Sequence, residues 1–386
     1  MNNCQKIMIV SGEASGDLHG ANLVKALKKL RQEIQFCGMG GQEMRNEGVE
    51  ILHDAAGMAV VGLIEIFSHL GEILKARKTL INQLRNEPPD LLVLIDYPEF
   101  NLLLAAKAKK LGIPIFYYIS PQVWAWRSGR VSKIGKLADR IGVILPFEQE
   151  FYHQRGVEVD FVGHPLMDSV HTTLPVKEFL AKFSIPSTQT VIGLLPGSRT
   201  KEVAALLPIF LEAAKILQQS SSRELCFLIP RASTITREFL EEHGVEKFGK
   251  QLNLRIIEHN RYDIMAACKA AVTASGTVTL ELAILGIPLL TTYKISPKTY
   301  LLGRLLVKLQ HFSLVNLVAG KEVIPELLQH EVTPENIAIH LHSLISDDKI
   351  RSDMLIGLAN TKKRLGSPGA SQRAAAICLE LLDQHL

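Results

Sequence analysis

The chain has 386 residues, a length that allows two or three domains at about 150 residues per domain. Hydrophobic residues make up 47% and charged residues 21%, which excludes disordered, collagen-like and coiled-coil chains. The net charge of +4 does not favour a nucleic-acid-binding protein, because such proteins usually carry a clustered basic surface. Five scattered cysteines without a CxxC pair argue against a zinc site or a disulfide framework and indicate a reducing compartment.

Short apolar runs alternate with helical patterns along the chain. In chain order, the runs that we predict as strands cover 7–12, 34–40, 91–96, 113–120, 140–146, 159–165, 190–199, 224–230, 254–259, 270–276 and 287–293. Helical patterns cover 18–30, 64–84, 102–110, 203–218, 262–268, 278–285 and the chain from 334 onwards. Continuous Val, Ile and Leu runs are typical of strands buried on both faces of a parallel sheet. We therefore predict two doubly wound α/β domains that face a cleft.

The composition also predicts where these domains begin and end. We expect a first Rossmann-like domain over 1–167, a linker over 168–189, where prolines, serines and threonines replace apolar runs, and a second domain over 190–346. Helices over 347–386 are expected to pack back on the first domain or on a partner subunit. No signal sequence and no uninterrupted run of about 18 apolar residues is found, which favours a soluble or peripheral protein.

Two carboxylates follow strands of the first half. In open parallel sheets, ligands bind beyond the carboxyl ends of the strands. Asp96 ends the run LLVLID, where partial burial would raise its basicity and suit a general base that accepts a hydroxyl proton. Glu13 lies in the first junction, SGEASGD. The alternatives are that Asp96 caps a turn, and that Glu13 is a solvated acid beside a capping Asp17.

Two junctions of the second half suit a diphosphate. LLPGSR offers backbone N–H groups, the Ser198 hydroxyl and the Arg199 guanidinium. TASGTVTLE places a helix N-terminus near Thr277, and Glu281 one turn later could bind ribose hydroxyls. An ordinary helix cap is the alternative for the SGT turn alone.

Two further segments could contact lipid or phosphate. The segment 120–140 holds both tryptophans, Trp124 and Trp126, and basic residues that would share one face of a helix, namely Arg127, Arg130, Lys133, Lys136 and Arg140. The segment 58–74 is apolar on several sides and precedes a basic rim, and its candidate lipid-binding residues are Val61, Leu63 and Ile66. The alternatives are a solvated face for the first segment and a core helix for the second. No metal-ligand spacing occurs, so neither a metal nor a cofactor is expected.

Taken in order, the strings SGEASGD, IDYPEFN, SPQVWAWR, GHP, LLPGSR, TASGTVTLE and SLVNLVAG resemble the lipid-A-disaccharide synthase family. The resemblance implies a GT-B fold and an inverting glycosyltransferase. This enzyme joins UDP-2,3-diacylglucosamine to 2,3-diacylglucosamine 1-phosphate (lipid X), giving a β-1,6 disaccharide 1-phosphate and UDP. It implies a cytoplasmic protein, peripheral on the cytoplasmic face of the inner membrane of a Gram-negative-type bacterium, and leaves a homodimer open.

Carried over by position, Asp96 resembles the family's base and Glu13 its neighbour. The positions that resemble the UDP-sugar half are Arg199, Ser275, Gly276, Thr277, Glu281 and Asn316. The sequence departs from the expected pattern at Tyr97, Glu99 and Val315, where Ala, Asp and Pro are expected. Three other interpretations remain: another GT-B enzyme such as a UDP-GlcNAc 2-epimerase, a two-Rossmann oxidoreductase, which the missing GxGxxG disfavours, and a non-catalytic nucleotide-sugar or lipid-binding protein.

Overall fold

The computed structural model describes residues 4–55, 63–126, 128–295, 300 and 310–384, with the backbone alone at 63–70 and 126. The chain forms two compact units. The first comprises Met1–Met167 with Gly366–Leu386, and the second comprises Asp168–Leu365.

A parallel sheet of seven strands forms the centre of the first unit. Its strands are β1 (Lys6–Ser11), β2 (Gln35–Gly40), β3 (Glu50–Asp54), β4 (Leu91–Ile95), β5 (Ile115–Tyr118), β6 (Arg140–Val143) and β7 (Asp160–Phe161). They lie in the order β3-β2-β1-β4-β5-β6-β7, so the strand order reverses between β1 and β4. This reversal is the position at which open parallel sheets bind ligands.

Helices cover both faces of this sheet. The helices of the first unit are Ala14–Leu30, Gln42–Asn46, Leu63–Asn86, Pro98–Lys110, Val123–Trp126, Val131–Leu137, Pro146–His153 and Ala370–Gln384, and Leu166–Ser169 follows β7 at the end of the unit's first stretch. Alternate residues of β1 enter opposite cores, because successive side chains of a strand point to opposite faces. Met8 and Val10 join the core that contains Leu80, whereas Ile7 and Ile9 join the core that contains Cys378.

The second unit repeats this plan with six parallel strands. They are β8 (Thr190–Leu195), β9 (Leu225–Pro230), β10 (Leu254–Ile257), β11 (Ala270–Ala274), β12 (Leu289–Tyr293) and β13 (Glu326–Leu328), in the order β10-β9-β8-β11-β12-β13. The helices described here are Val176–Lys182, Thr200–Ser220, Arg237–Leu240, Glu246–Gly249, Arg261–Ala266, Val278–Leu285, Leu314–Ala319, Pro334–Ser346 and Asp348–Arg364.

Helix Thr200–Ser220 is the one described helix that is long and apolar enough to cross a membrane. It belongs to the core of the second unit, since Leu207, Phe210 and Leu211 are fully buried. Apolar core helices pass the same length and composition test as membrane spans.

The structure differs from the sequence expectation in two stretches. The segment 168–189, predicted as a linker, belongs to the second unit: its helix Val176–Lys182 buries Phe179, and the Asp263 carboxylate accepts hydrogen bonds from the backbone N–H and hydroxyl of Thr173. The predicted group of C-terminal helices is divided, because Asp348–Arg364 belongs to the second unit and Ala370–Gln384 to the first.

Candidate active site

The turn after β4 holds Asp96 in a backbone conformation that side chains other than glycine rarely adopt. Asp96 and Tyr97 have φ angles of 43° and 46°, in the left-handed region. Such residues cost about 1–3 kcal/mol each and persist only where neighbouring contacts hold them. Here the Asp96 carbonyl accepts hydrogen bonds from the Asn101 amide (2.7 Å) and the Tyr117 hydroxyl (2.7 Å). The strained turn is therefore fixed by two buried side chains.

Gly12 leaves space for the side chain of Tyr97 in this turn. The Tyr97 ring lies against Gly12, where any Cβ would overlap the ring. Gly12 thus joins the turn after β1 to the turn after β4, which is a reason for the glycine in SGEASGD. Tyr97, which departs from the expected family residue, fills this space.

The environment of Asp96 suits an acid–base group. Burial raises the pKa of Asp96 to about 6, and the negative charge of Glu13 adds to this rise, whereas a hydrogen bond from the Tyr97 backbone N–H opposes it. Glu13 is exposed at the N-cap of helix Ala14–Leu30, but its side chain does not cap that helix. The structure therefore brings Glu13 and Asp96 within electrostatic reach of each other.

Asp17 has a different structural role from the predicted one. It is buried, and its carboxylate accepts hydrogen bonds from the backbone N–H groups of Gly41 (2.7 Å), Glu43 (2.9 Å) and Met44 (3.1 Å). Asp17 thus caps helix Gln42–Asn46 and not its own helix, because the turn after β2 lies beside it.

The turn after β8 contains a glycine with a positive φ angle and two exposed polar residues. Gly197 has φ 106°, and a Cβ there would overlap the Glu202 carboxylate. That carboxylate accepts hydrogen bonds from the backbone N–H groups of Ser198 and Arg199. The loop N–H groups that we expected to bind a diphosphate are therefore occupied by Glu202. The groups left for an anion are the exposed Arg199 guanidinium and the Ser198 hydroxyl.

The SGT turn after β11 is open. Thr277 is exposed at the N-cap of helix Val278–Leu285 and makes no capping hydrogen bond with its side chain. A Cβ at Gly276 would meet no atom of the described residues within 4 Å. Ser275 lies at the start of the turn and is half-buried. The helix N-terminus therefore has space in front of it.

Glu281, one helical turn further, is covered by an arginine. Its side chain is 5% exposed, and its carboxylate accepts a hydrogen bond from Arg261 at 2.6 Å. Burial raises the pKa of Glu281, and the Arg261 charge opposes that rise. Arg261 itself is 56% exposed, so its guanidinium reaches the surface while it remains paired with Glu281.

The expectation for Asn316 needs a correction. The side chain is fully buried, and its amide donates to the carbonyl of Ile324 and the carboxylate of Glu326, while its oxygen accepts from the N–H groups of Val323 and Ile324. An Asn side chain has few further bonds to offer. Asn316 thus orders the segment that leads into β13, and it does not present its amide to a ligand.

The predicted basic helical face is also corrected. Helix Val131–Leu137 ends before Arg140, which lies on β6 and pairs with Asp160 (2.8 Å) and Glu380 (3.0 Å). Arg130 precedes the helix and pairs with Glu99 at 2.7 Å. The five predicted cations therefore do not share one helix.

The remaining lipid-contact candidates are only partly described. Val61 and Arg127 lie outside the described residues. Leu63, Ile66 and Trp126 lie on helices whose backbone alone is described there. Trp124 is half-buried, and its indole N–H donates to the Glu148 carboxylate at 3.1 Å.

Sequence reasoning missed three polar residues at these turns. Glu202, Arg261 and Glu148 each bind a candidate residue or its loop. Glu148 carries a partial signal, because an acid at the third position of a helix that begins with proline is typical of a cap. The Arg261–Glu281 pair is 20 residues apart and has no local signal. Within the described ranges, no three His, Cys, Asp or Glu side chains are grouped as a metal site would require.

Comparisons with solved structures identify the fold. The UDP-GlcNAc 2-epimerase from Neisseria meningitidis bound to UDP-GlcNAc is similar with a TM-score of 0.66 and 14% identity, over 97% of this chain and all of that one. The calicheamicin glycosyltransferase CalG4 is similar with a TM-score of 0.61 and 14% identity, over 99% of both chains. The predicted fold class, two Rossmann-like parallel-sheet domains of GT-B type, is confirmed.

Comparisons of sequence reach further than fold. The family model described as "Lipid-A-disaccharide synthetase" matches residues 7–377. The lipid-A-disaccharide synthase of Geobacter metallireducens is 46% identical over 378 residues, which cover 98% of this chain and 97% of the relative. Both matches span nearly the whole chain, and they confirm the resemblance found in the motifs. This chain belongs to the lipid-A-disaccharide synthase family.

Proposed function

We propose that this chain condenses UDP-2,3-diacylglucosamine with lipid X to give the β-1,6 lipid A disaccharide 1-phosphate and UDP. Membership of the family makes the chain a glycosyltransferase of lipid A biosynthesis. The observation that carries the chemical assignment is the half-buried Asp96 carboxylate, whose pKa of about 6 suits a base near neutral pH.

In the proposed mechanism, Asp96 accepts the proton of the acceptor's 6-hydroxyl while that oxygen attacks C1 of the donor sugar. The bond between C1 and the diphosphate oxygen breaks, UDP leaves with the bonding electrons, and the configuration at C1 inverts. Burial is the larger cause of the raised pKa of Asp96, and the negative charge of Glu13 adds to it. The strained turn supports this role, because it fixes the carboxylate before the acceptor arrives.

We assign UDP to the second unit. Arg199 and Ser198 would bind diphosphate oxygens, and the open helix N-terminus at Ser275, Gly276 and Thr277 would stabilise the leaving diphosphate. Glu281 would accept hydrogen bonds from the ribose hydroxyls on Oε2, since the bond from Arg261 ends on Oε1. Asn316 acts indirectly, by ordering the segment before β13.

Two assays test this proposal. Release of UDP from the diacylated donor in the presence of lipid X is the expected activity, and conversion of UDP-GlcNAc without an acceptor would contradict it.

By calorimetry, Arg199→Ala and Glu281→Ala should each weaken UDP binding about tenfold, because charge-assisted hydrogen bonds are lost. The matched control is Arg223→Ala, since Arg223 is exposed before β9, at the opposite end of that sheet. Unchanged UDP affinity in both site variants would refute this placement.

We further propose that the enzyme works in the cytoplasm, peripheral on the inner-membrane surface, because both substrates carry acyl chains. The segment 58–74 with its basic rim is the proposed lipid-contacting region, and Trp124 and Arg130 are proposed to add to it. Binding to anionic liposomes should weaken but persist as salt rises, and serine at Val61, Leu63 and Ile66 should remove the salt-resistant part. A folded triple variant with unaltered liposome binding would contradict this role. A homodimer stays a prediction.

A further inference from the structure

A buried carboxylate that the proposed mechanism does not use lies in the first unit, which also holds Asp96. Glu148 is 1% exposed and belongs to helix Pro146–His153, which follows β6. One carboxylate oxygen accepts hydrogen bonds from the backbone N–H groups of Ile144 (3.2 Å) and Leu145 (2.9 Å). The other oxygen accepts the indole N–H of Trp124 at 3.1 Å. The two oxygens thus serve different partners, the helix start and the tryptophan.

The sheet order explains why Glu148 belongs with the candidate base. Strands β4, β5 and β6 are neighbours, so the turns that follow them bring Asp96, Trp124 and Glu148 to one edge of the sheet. The charge of Asp96 contributes to the raised pKa of Glu148, although burial is the larger cause. A second bond joins the same helix to the turn after β5, between the hydroxyls of Tyr152 and Ser120.

We propose that Glu148 is a positioning residue for the acceptor, which fixes the indole of Trp124 beside Asp96 as a wall against which lipid X is held. The ring is fixed on a second side, because Phe147 packs edge-on against it with 5.0 Å between ring centroids. This inference rests on the proposed function, since it takes Asp96 as the place where the acceptor hydroxyl arrives. A helix cap alone would need only the two backbone bonds.

The chemistry of glutamine separates the two roles. In Glu148→Gln, the amide oxygen still accepts the backbone N–H groups, but the NH2 group faces the indole N–H, so two donors oppose each other. We expect the KM for lipid X to rise about tenfold with UDP affinity close to wild type, and the unfolding temperature to fall by a few degrees because the opposed donors are buried. Trp124→Phe removes the other partner of this bond and should also raise that KM. Glu150→Gln on the exposed face of the same helix is the matched control and should change nothing.

The double variant gives the sharpest result. In the Trp124→Phe background no indole N–H opposes the new amide, so Glu148→Gln should cost little there. Non-additive KM values would support the inference, whereas additive values, or a wild-type KM in Glu148→Gln, would overturn it. If Asp96→Asn keeps full activity while the KM coupling persists, the proposed base is wrong and the tryptophan-positioning role stands.

Discussion

The turn after β4 and the turn after β11 occupy matching places in the two sheets, because β4 lies between β1 and β5 as β11 lies between β8 and β12. The first turn holds the half-buried Asp96 carboxylate on a strained backbone, and its Tyr97 ring fills the space beside Gly12. The second has open space in front of Gly276 and an exposed Thr277. Proton abstraction benefits from a desolvated carboxylate, whereas binding a diphosphate needs room and free N–H groups. One backbone plan is thus adapted to two kinds of chemistry.

The largest expected effect concerns the turn after β4. Asp96→Asn should lower kcat by about 10²–10⁴-fold, because general-base assistance is lost while the turn geometry is kept. UDP affinity should not change, since the nucleotide is assigned to the second unit. Asp90→Asn, at the opposite end of β4, is the matched control and should keep wild-type kcat. A folded Asp96→Asn enzyme with near wild-type kcat would show that the comparison misassigns the proton acceptor.

The same substitution should stabilise the fold. The pKa of Asp96 is raised from 3.8 to about 6, so above about pH 6 folding places an ionised carboxylate where the neutral form is favoured. Asp96→Asn should therefore increase the free energy of unfolding by up to about 3 kcal/mol at about pH 8. The gain should vanish below about pH 3, where the carboxyl is neutral in both folded and unfolded chains. Urea unfolding at the two pH values measures this difference, and an equal gain at both would contradict the electrostatic cause.

In the turn after β11, a substitution should change UDP binding and leave stability almost unchanged. Gly276→Leu places a side chain in empty space, so stability should stay near wild type while UDP affinity falls about tenfold or more through loss of access to the helix N-terminus. Gly12→Ala should instead unfold part of the first unit, because the new Cβ meets the Tyr97 ring. Calorimetry with UDP and thermal unfolding separate the two outcomes. A Gly276→Leu protein that binds UDP normally would place the diphosphate elsewhere.

The smallest expected effect is a shift in pH dependence. The profile of kcat/KM should fall below about pH 6, as Asp96 becomes protonated. Glu13→Gln removes a negative charge, so the pKa of Asp96 and the acid limb should move to lower pH. The movement should be smaller than the effect of burial, which is the larger cause. Glu33→Gln, exposed before β2, is the control. A shift to higher pH would exclude an electrostatic role for Glu13.

The sequence predicted the buried strands well and missed both β3 and β13. Each lies at an edge of its sheet, where one side is not paired and burial is incomplete. Edge position alone is not sufficient, since the edge strands β7 and β10 were predicted; the segments of β3 and β13, EILHD and ELL, hold no run of three apolar residues. The strands that carry candidate site residues, such as β4 and β11, are central and were predicted within a few residues of their ends.

Local patterns predicted which residues lie at the turns but not which groups are already in use. Glu202 occupies loop N–H groups, Arg261 covers Glu281, and Asn316 is wholly engaged inside its unit. These bonds depend on the three-dimensional approach of separate segments or on the exact direction of a side chain. A sequence motif carries neither kind of information. Only the structure shows that the polar groups of Asn316 are already bonded, whereas the Arg199 guanidinium is exposed.

The helix Ala370–Gln384 has a consequence for synthesis. It places Cys378 and Leu381 in the same core as Ile7 and Leu91, so the first unit is completed by residues that are translated after the whole of the second. Residues 1–167 therefore emerge from the ribosome before the last helix can complete the core that helix Ala14–Leu30 covers only in part, while the continuous second unit can close at once. We expect this protein to finish folding in the reverse of the usual order, and its nascent first half to depend on chaperones until the last helix emerges.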